Sequence, residues 1–216
     1  MMKLYYLPLR ARAETIHLIL EYGKIPYQSI IIPFKEWPAL KYKKEINLFG
    51  QLPSLSLPDG TVISESGAII RFVARLANVY PSNELELVKA DMLLELSQDM
   101  YTINRVLCLY EKDSELWQAK RDQYFSSFPL WLSGTQELLG ERTYFGGHFP
   151  HFGDFSFLHV CNCSLHVKHS CLDEYPLTRD WYNRMISLPA VASYFASRPG
   201  PTTPDWGRPK SFIMSS

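Results

Sequence analysis

The chain has 216 residues, 46% of them hydrophobic, which suits one large domain or two modest ones with a sizeable core. Lys+Arg and Asp+Glu balance at 22 each, which argues against nucleic acid or an anionic membrane as a partner. Met1-Met2-Lys3-Leu4 opens no secretory h-region, no apolar run is long enough to span a bilayer, and Ile213-Met214-Ser215-Ser216 carries no lipidation signal, so a cytoplasmic protein is expected.

Lys3 to Leu7, rich in Tyr and Leu and ended by Pro8, predicts a strand. Leu9-Arg10-Ala11-Arg12 is a loop, and Arg12 to Tyr22 predicts a helix with Ile16, Ile19 and Leu20 on one face and Gly23 at the C′ stop. Tyr27 to Ile32, β-branched at its end, is a second strand, so the first three elements form a parallel βαβ unit. Phe34 to Ile46 is mixed, with Trp37-Pro38 and the lysines Lys41, Lys43 and Lys44.

The next stretch, Phe49 to Ser66, is the most informative. Phe49-Gly50 turns into a short strand, Ser54 to Leu57. Pro58-Asp59-Gly60 is a hairpin turn, because glycine supplies the positive φ that such turns need. Thr61 to Ser64 is the returning strand, and a helix follows from Gly67 to Leu76 with the Ser66 hydroxyl just ahead of it as a cap. Leu52-Pro53 precedes a strand, and X-Pro is the bond that adopts cis at modest cost. A cis bond there turns the Leu52 backbone outward, ready to pair with an extended peptide. The helix start at Ser66 offers N–H groups to a carboxylate. An ordinary β-hairpin running into a helix satisfies the same residues.

Beyond a linker at Val79 to Asn83 the strand patterns vanish. Val88, Met92, Leu96, Met100, Ile103 and Leu107 recur every three or four residues and predict one long amphipathic helix. Leu116 to Leu139 is helical with Pro129 as a kink or break, and Asp154 to about Ser170, Leu177 to Ile186 and Ala190 to Ala196 are further helices. The tail from Pro199, rich in Pro and Gly, predicts an ordered coil. The four cysteines, Cys108, Cys161, Cys163 and Cys171, all lie in this half, form no C-x-x-C and are expected to be reduced. The first domain therefore has no sulfur nucleophile for thioredoxin-type redox chemistry. His159, Cys163 and His166 share a helical face, but zinc ligands come at loop or finger spacings, so no metal is expected.

An α+β domain over residues 1–78 followed by an all-α domain over 84–216 is a restrictive combination. With Tyr6-Leu7-Pro8-Leu9-Arg10-Ala11-Arg12, Trp37-Pro38-Ala39-Leu40-Lys41, Phe49-Gly50-Gln51-Leu52-Pro53, Glu65-Ser66-Gly67-Ala68-Ile69, and Asp91 with Asp99, the chain resembles a cytosolic glutathione transferase of the tyrosine-using pi, mu and sigma group. The resemblance implies a thioredoxin-like first domain with a mixed four-stranded sheet, a helical second domain, glutathione as co-substrate and a homodimer. It implies conjugation of the glutathione thiolate to small hydrophobic electrophiles, the chemistry of detoxification. A sigma-type isomerase acting on prostaglandin-like substrates needs the same thiolate, and a crystallin-like or ligand-carrying protein could keep the same fold.

A free thiol has a pKa of about 8.5, and holding it ionised near neutrality needs a drop of roughly two units, about 2.7 kcal/mol. One hydrogen bond to a charged acceptor supplies roughly 1.5–3 kcal/mol, so a single hydroxyl aimed at the sulfur suffices. The resemblance gives that role to Tyr6. It also gives Ser66 to the γ-glutamyl carboxylate, Glu65 and the partner subunit's counterpart of Asp99 to its ammonium, and Gln51 to the same end. Leu52, set by cis-Pro53, would pair with the cysteinyl backbone. Trp37 and Lys41, with Lys43 as a rival, would meet the glycyl carboxylate, and Arg12 would add positive field. Leu9, Arg10, Arg105, Leu109, Trp206 and Phe212 would wall the second-substrate pocket, and Phe49 would act as an aromatic key in the partner. Two departures stand out. Ala11 replaces a glycine common between the two arginines, and His151 stands where a Ser or Thr often caps a helix, leaving Asp154 to cap at a cost of roughly 1 kcal/mol.

Overall fold

The computed structural model describes residues 1–105, 107, 110 and 112–197. They form two compact units, one of Met1–Tyr80 with the chain from Ser193, the other of Pro81–Ala192. Leu109, Trp206 and Phe212 of the expected second-substrate pocket, and Cys108, lie outside the described residues.

The first unit runs β1 (Met2–Tyr6), a 3-10 turn (Ala11–Ala13), α1 (Glu14–Tyr22), β2 (Tyr27–Ile31), α2 (Trp37–Leu40), β3 (Ser54–Ser56), β4 (Val62–Ser64) and α3 (Ser66–Leu76). The sheet has the order β2-β1-β3-β4. β1 pairs parallel with β2, so its connection must cross over, and α1 does so; β3 is antiparallel to both β1 and β4. Leu4, Leu55, Ile16, Ile19, Leu20, Ile69, Ile70 and Val73 fill the core, each burial contributing roughly 1.5–3 kcal/mol. In the hairpin, Gly60 has φ +89, the Leu57 N–H donates to the Thr61 carbonyl at 2.8 Å, and the Asp59 carboxylate takes the Thr61 N–H at 2.9 Å.

Two local expectations need correction. Gly23 closes α1 with φ −77, an ordinary value, and the left-handed residue is Lys24 at φ +52. Glycine is required at 23 for room, since a Cβ there would lie 2.5 Å from the Ala77 Cβ. Ser66 is the first residue of α3 rather than the residue ahead of it; the N-cap is Glu65, with φ +71 and no side-chain capping bond of its own.

The second unit holds α4 (Glu84–Asn104), α5 (Glu115–Ser126), α6 (Phe128–Leu139), α7 (Phe152–Val167), α8 (Pro176–Ser187) and the first turn of α9 (Pro189–Ser197). The expected helix from Leu116 to Leu139 is two helices meeting at Ser127, with Pro129 in the first turn of the second, where a missing N–H costs nothing. The repeat expected on α4 has the right period but lies only partly on the buried face: Met100 is buried and Leu96 half-buried. Ala90, Leu93, Leu94, Ser97, Met100, Tyr101 and Asn104 are buried, whereas Val88, Met92 and Ile103 are exposed, and Leu107 lies buried beyond the helix end. Both faces carry apolar residues, so periodicity alone does not choose between them.

α7 is buried along most of its length and starts on a true capping box. Neutral His151 accepts the Gly153 and Asp154 N–H groups at Nδ1 (3.1 and 3.4 Å), while the Asp154 carboxylate takes the His151 N–H at 2.9 Å. Asp154 thus takes part in the cap, as the sequence allowed, and His151 adds a side-chain cap of its own. No described helix is long and apolar enough to cross a membrane.

Candidate functional site

Strand register gathers the first group of residues. Tyr5 pairs with Ser54, and Ser54 pairs with Ser64. The next residue at the same end of each strand is Tyr6, Pro53 and Glu65, so one end of the sheet carries Tyr6, Leu52-Pro53 and Glu65-Ser66. The Leu52–Pro53 bond is cis, as the sequence suggested. β2 ends beside Tyr6, whose carbonyl takes the Ile32 N–H at 2.8 Å, and the chain then runs into α2 with Trp37.

Tyr6 is 6% exposed, and its hydroxyl oxygen accepts the Arg12 N–H at 3.0 Å. Accepting there polarises the O–H and makes it a better donor to an anion. The loop that delivers this N–H is tight. Ala11, at the position where a glycine was anticipated, has φ +23, and Leu9, Arg10 and Ala11 are buried. The Arg10 Nε has no hydrogen-bond partner among the described residues.

Ser66 is buried at the start of α3, where the N–H groups of the first turn lack helical partners, and Glu65 beside it is exposed. Gln51 is exposed and Leu52 half-buried. Trp37 and Lys41 are half-buried and one helical turn apart, with the Lys41 N–H on the Trp37 carbonyl at 2.9 Å and its ammonium 5.0 Å over the Tyr42 ring. Lys43 is exposed. Asp99, exposed on α4, and Arg105, exposed at its end, belong to the second unit.

Sequence reasoning missed the residues that hold the loop from Lys41 to Gly50. Asn47 is fully buried; its Oδ1 accepts the Gly50 N–H, and its Nδ2 donates to the Lys41 carbonyl at 3.2 Å. The Ser54 hydroxyl donates to the Ile46 carbonyl at 2.5 Å, and the Ser64 hydroxyl accepts the Leu48 N–H at 3.2 Å. The available clue was an Asn three residues ahead of a turn glycine, where its side chain can bond local backbone.

A buried polar cluster backs α1. His17 Nδ1 lies 2.8 Å from the Tyr27 hydroxyl, which donates to Glu21 at 2.9 Å; the Tyr194 ring stacks on His17, and its hydroxyl donates to Glu14 at 3.2 Å. Burial pushes the His17 imidazole down to about 4. In α7, His159 is buried against Tyr101 with Cys163 at 3.8 Å, and among the described residues no three His, Cys, Asp or Glu side chains gather where a metal ion could sit.

Residues 11–76 match the family described as Glutathione S-transferase, N-terminal domain, and residues 98–198 match Glutathione S-transferase, C-terminal domain. The hematopoietic prostaglandin D synthase of Gallus gallus is 30% identical over 202 residues, 91% of this chain and 96% of that protein. Glutathione S-transferase Mu 2 of Homo sapiens is 29% identical over 205 residues, 91% of each chain. Among solved structures, rat hPGDS complexed with a quinoline superposes with a TM-score of 0.82 at 25% identity, over 93% of this chain and 98% of that one.

Proposed function

The chain belongs to the glutathione S-transferase family, and from that premise we propose that it transfers the glutathione thiolate to small hydrophobic electrophiles, with Tyr6 as the catalytic residue. The observation that carries the reading is the Tyr6 hydroxyl, buried at the end of β1 and polarised by the Arg12 N–H at 3.0 Å. The thiol loses its proton to solvent, and the Tyr6 O–H stabilises the resulting thiolate by donating a hydrogen bond to the sulfur. The thiolate forms an S–C bond to the electrophilic carbon as the bond to the leaving group breaks and that group departs with its electron pair. In an addition, the adduct instead takes up a proton from solvent.

Glutathione spans the end of the sheet. Ser66 and the first turn of α3 hold the γ-glutamyl carboxylate, Glu65, Gln51 and the partner subunit's Asp99 its amino end, and Leu52 the cysteinyl backbone. Trp37 and Lys41 hold the glycyl carboxylate; the half-buried position of Lys41 favours it over exposed Lys43. Arg12 adds positive field, and Arg10 and Leu9 shape the floor under the second substrate. The active unit is a cytoplasmic homodimer serving detoxification. Phe49, 65% exposed, and the stripe Leu85, Val88 and Met92 on one face of α4, each more than half exposed, support the dimer. The prostaglandin D synthases among the relatives favour a second reading, glutathione-dependent isomerisation of a prostaglandin-like substrate by the same thiolate.

Tyr6→Phe keeps the ring and removes only the donor. Glutathione affinity is expected to stay within a few-fold and conjugation to slow by about tenfold or more. Thiolate absorbance of bound glutathione, titrated against pH, reads the effect directly. An unchanged midpoint in the variant would remove Tyr6 from the mechanism. A turnover panel of electrophiles and a prostaglandin endoperoxide separates the two readings.

A further inference from the structure

We infer that Asn47 is a positioning residue for the glycyl end of glutathione, an inference that rests on the glutathione site proposed above. Asn47 is fully buried, and a buried amide must find partners. Its partners here are two separate arms of the site. The Nδ2 group donates to the carbonyl of Lys41 at 3.2 Å, which is the residue that closes α2. The Oδ1 atom accepts the N–H of Gly50, which has φ +70 and leads directly into Gln51-Leu52-Pro53. The two arms meet closely, since a Cβ on Gly50 would lie 3.6 Å from the same Lys41 carbonyl oxygen.

The frame is fixed on both sides of the asparagine. Ile46 is bound to the Ser54 hydroxyl of β3, and Leu48 to the Ser64 hydroxyl of β4. Asn47 thus sits on a sheet-anchored segment and reaches to α2, which has only one turn and no buried residue of its own. A helix so short has little intrinsic stability, so the direction of Trp37 and Lys41 depends on what its last carbonyl is tied to. Tyr6 stands on β1 and depends on none of these bonds. Loss of Asn47 therefore loosens recognition of the glycyl carboxylate through Lys41, loosens Gln51-Leu52 to a smaller degree through Gly50, and leaves thiolate formation alone.

The test compares glutathione with γ-glutamylcysteine, which lacks the glycyl residue, in the full-length wild type, Asn47→Ala and Asn47→Asp. The wild type is expected to favour glutathione. In Asn47→Ala, KM for glutathione rises by about fivefold or more, KM for γ-glutamylcysteine rises by clearly less, through the Gly50 arm, and kcat and the pH midpoint of the thiolate do not move. Asn47→Asp keeps the acceptor for Gly50 and loses the donor to Lys41, so KM rises for glutathione while γ-glutamylcysteine stays within about twofold, and this variant guards against a misfolded alanine variant. An equal rise for both thiols would mean that Asn47 only maintains the domain, and unchanged KM values would mean that it positions nothing; either overturns the inference. A wild type that does not distinguish the two thiols overturns the assignment of the glycyl site itself, and the inference with it.

Discussion

Glu65 occupies backbone space that costs an L-residue roughly 1–3 kcal/mol, with φ +71 and ψ 119 at the junction of β4 and α3. Its side chain is exposed, so packing does not compensate. The strain is understandable if the carboxylate is needed beside Ser66. Glu65→Gly is accordingly expected to stabilise the fold by about 0.5–1 kcal/mol, seen as a higher urea midpoint, and to weaken glutathione binding by about tenfold, seen by calorimetry. A variant that is less stable and binds normally would contradict the argument on both counts. The Glu-Ser pair could be matched to a site from sequence because it sits in a recognisable string. Its backbone geometry could not, because no glycine marks the position. Asn47 escaped notice for a related reason: its partners are set by how the loop closes, and a lone Asn in a polar loop has many readings.

At the scale of the element, α7 shows how one substitution changes what a helix depends on. A serine cap is indifferent to pH, whereas His151 caps only while Nδ1 is an acceptor. Burial lowers the His151 pKa, against the raising influence of Asp154 and Glu86 and with a further lowering one from Arg142. Complete burial raises the Asp154 carboxyl, which the N–H groups of His151, Phe145 and Trp181 pull back. A histidine whose folded pKa is depressed binds its proton more readily when unfolded, so stability is full above 6.5 and is lost as pH falls below it. His17, pushed to about 4, follows the same rule at roughly 1.4 kcal/mol per pH unit. Urea denaturation at about pH 7.5 and about pH 5.5, above the carboxylate range, is expected to show the wild type weakening and His151→Ser weakening less. Parallel losses in the two proteins would show that the cap does not titrate.

For the whole molecule, the question is what covers the apolar residues that the chain leaves outside. Leu85, Val88 and Met92 are 64%, 53% and 56% exposed on one face of α4, and Phe49 is 65% exposed on its loop. Burying a ring or aliphatic side chain of this size is worth roughly 1.5–3 kcal/mol, and closed two-fold symmetry uses each contact twice. Sedimentation is expected to find a dimer at micromolar concentration. Phe49→Ser should weaken the dimer and glutathione binding together, because Phe49 adjoins Gly50-Gln51-Leu52. A wild type that sediments as a monomer yet conjugates at a normal rate would defeat the dimeric reading.

Local pattern was enough to find the four strands, α1, α3 and the helical half in order, the hairpin at Asp59-Gly60 and the X-Pro bond that is cis, because period, β-branching and turn chemistry act between near neighbours. It did not find α2 or place the boundary between α5 and α6. The sequence's strings of residues were also specific enough to point to the family. Tertiary structure alone decided which side of α4 is buried, since apolar residues lie on both and only packing against α7 chooses. It also decided that Gly23 is a matter of room beside Ala77, that His151 is the cap of α7, and that Asn47 joins Lys41 to Gly50. Each of these depends on which groups meet, or which conformation the chain is held in, once the backbone has folded, and neither quantity is carried by local pattern.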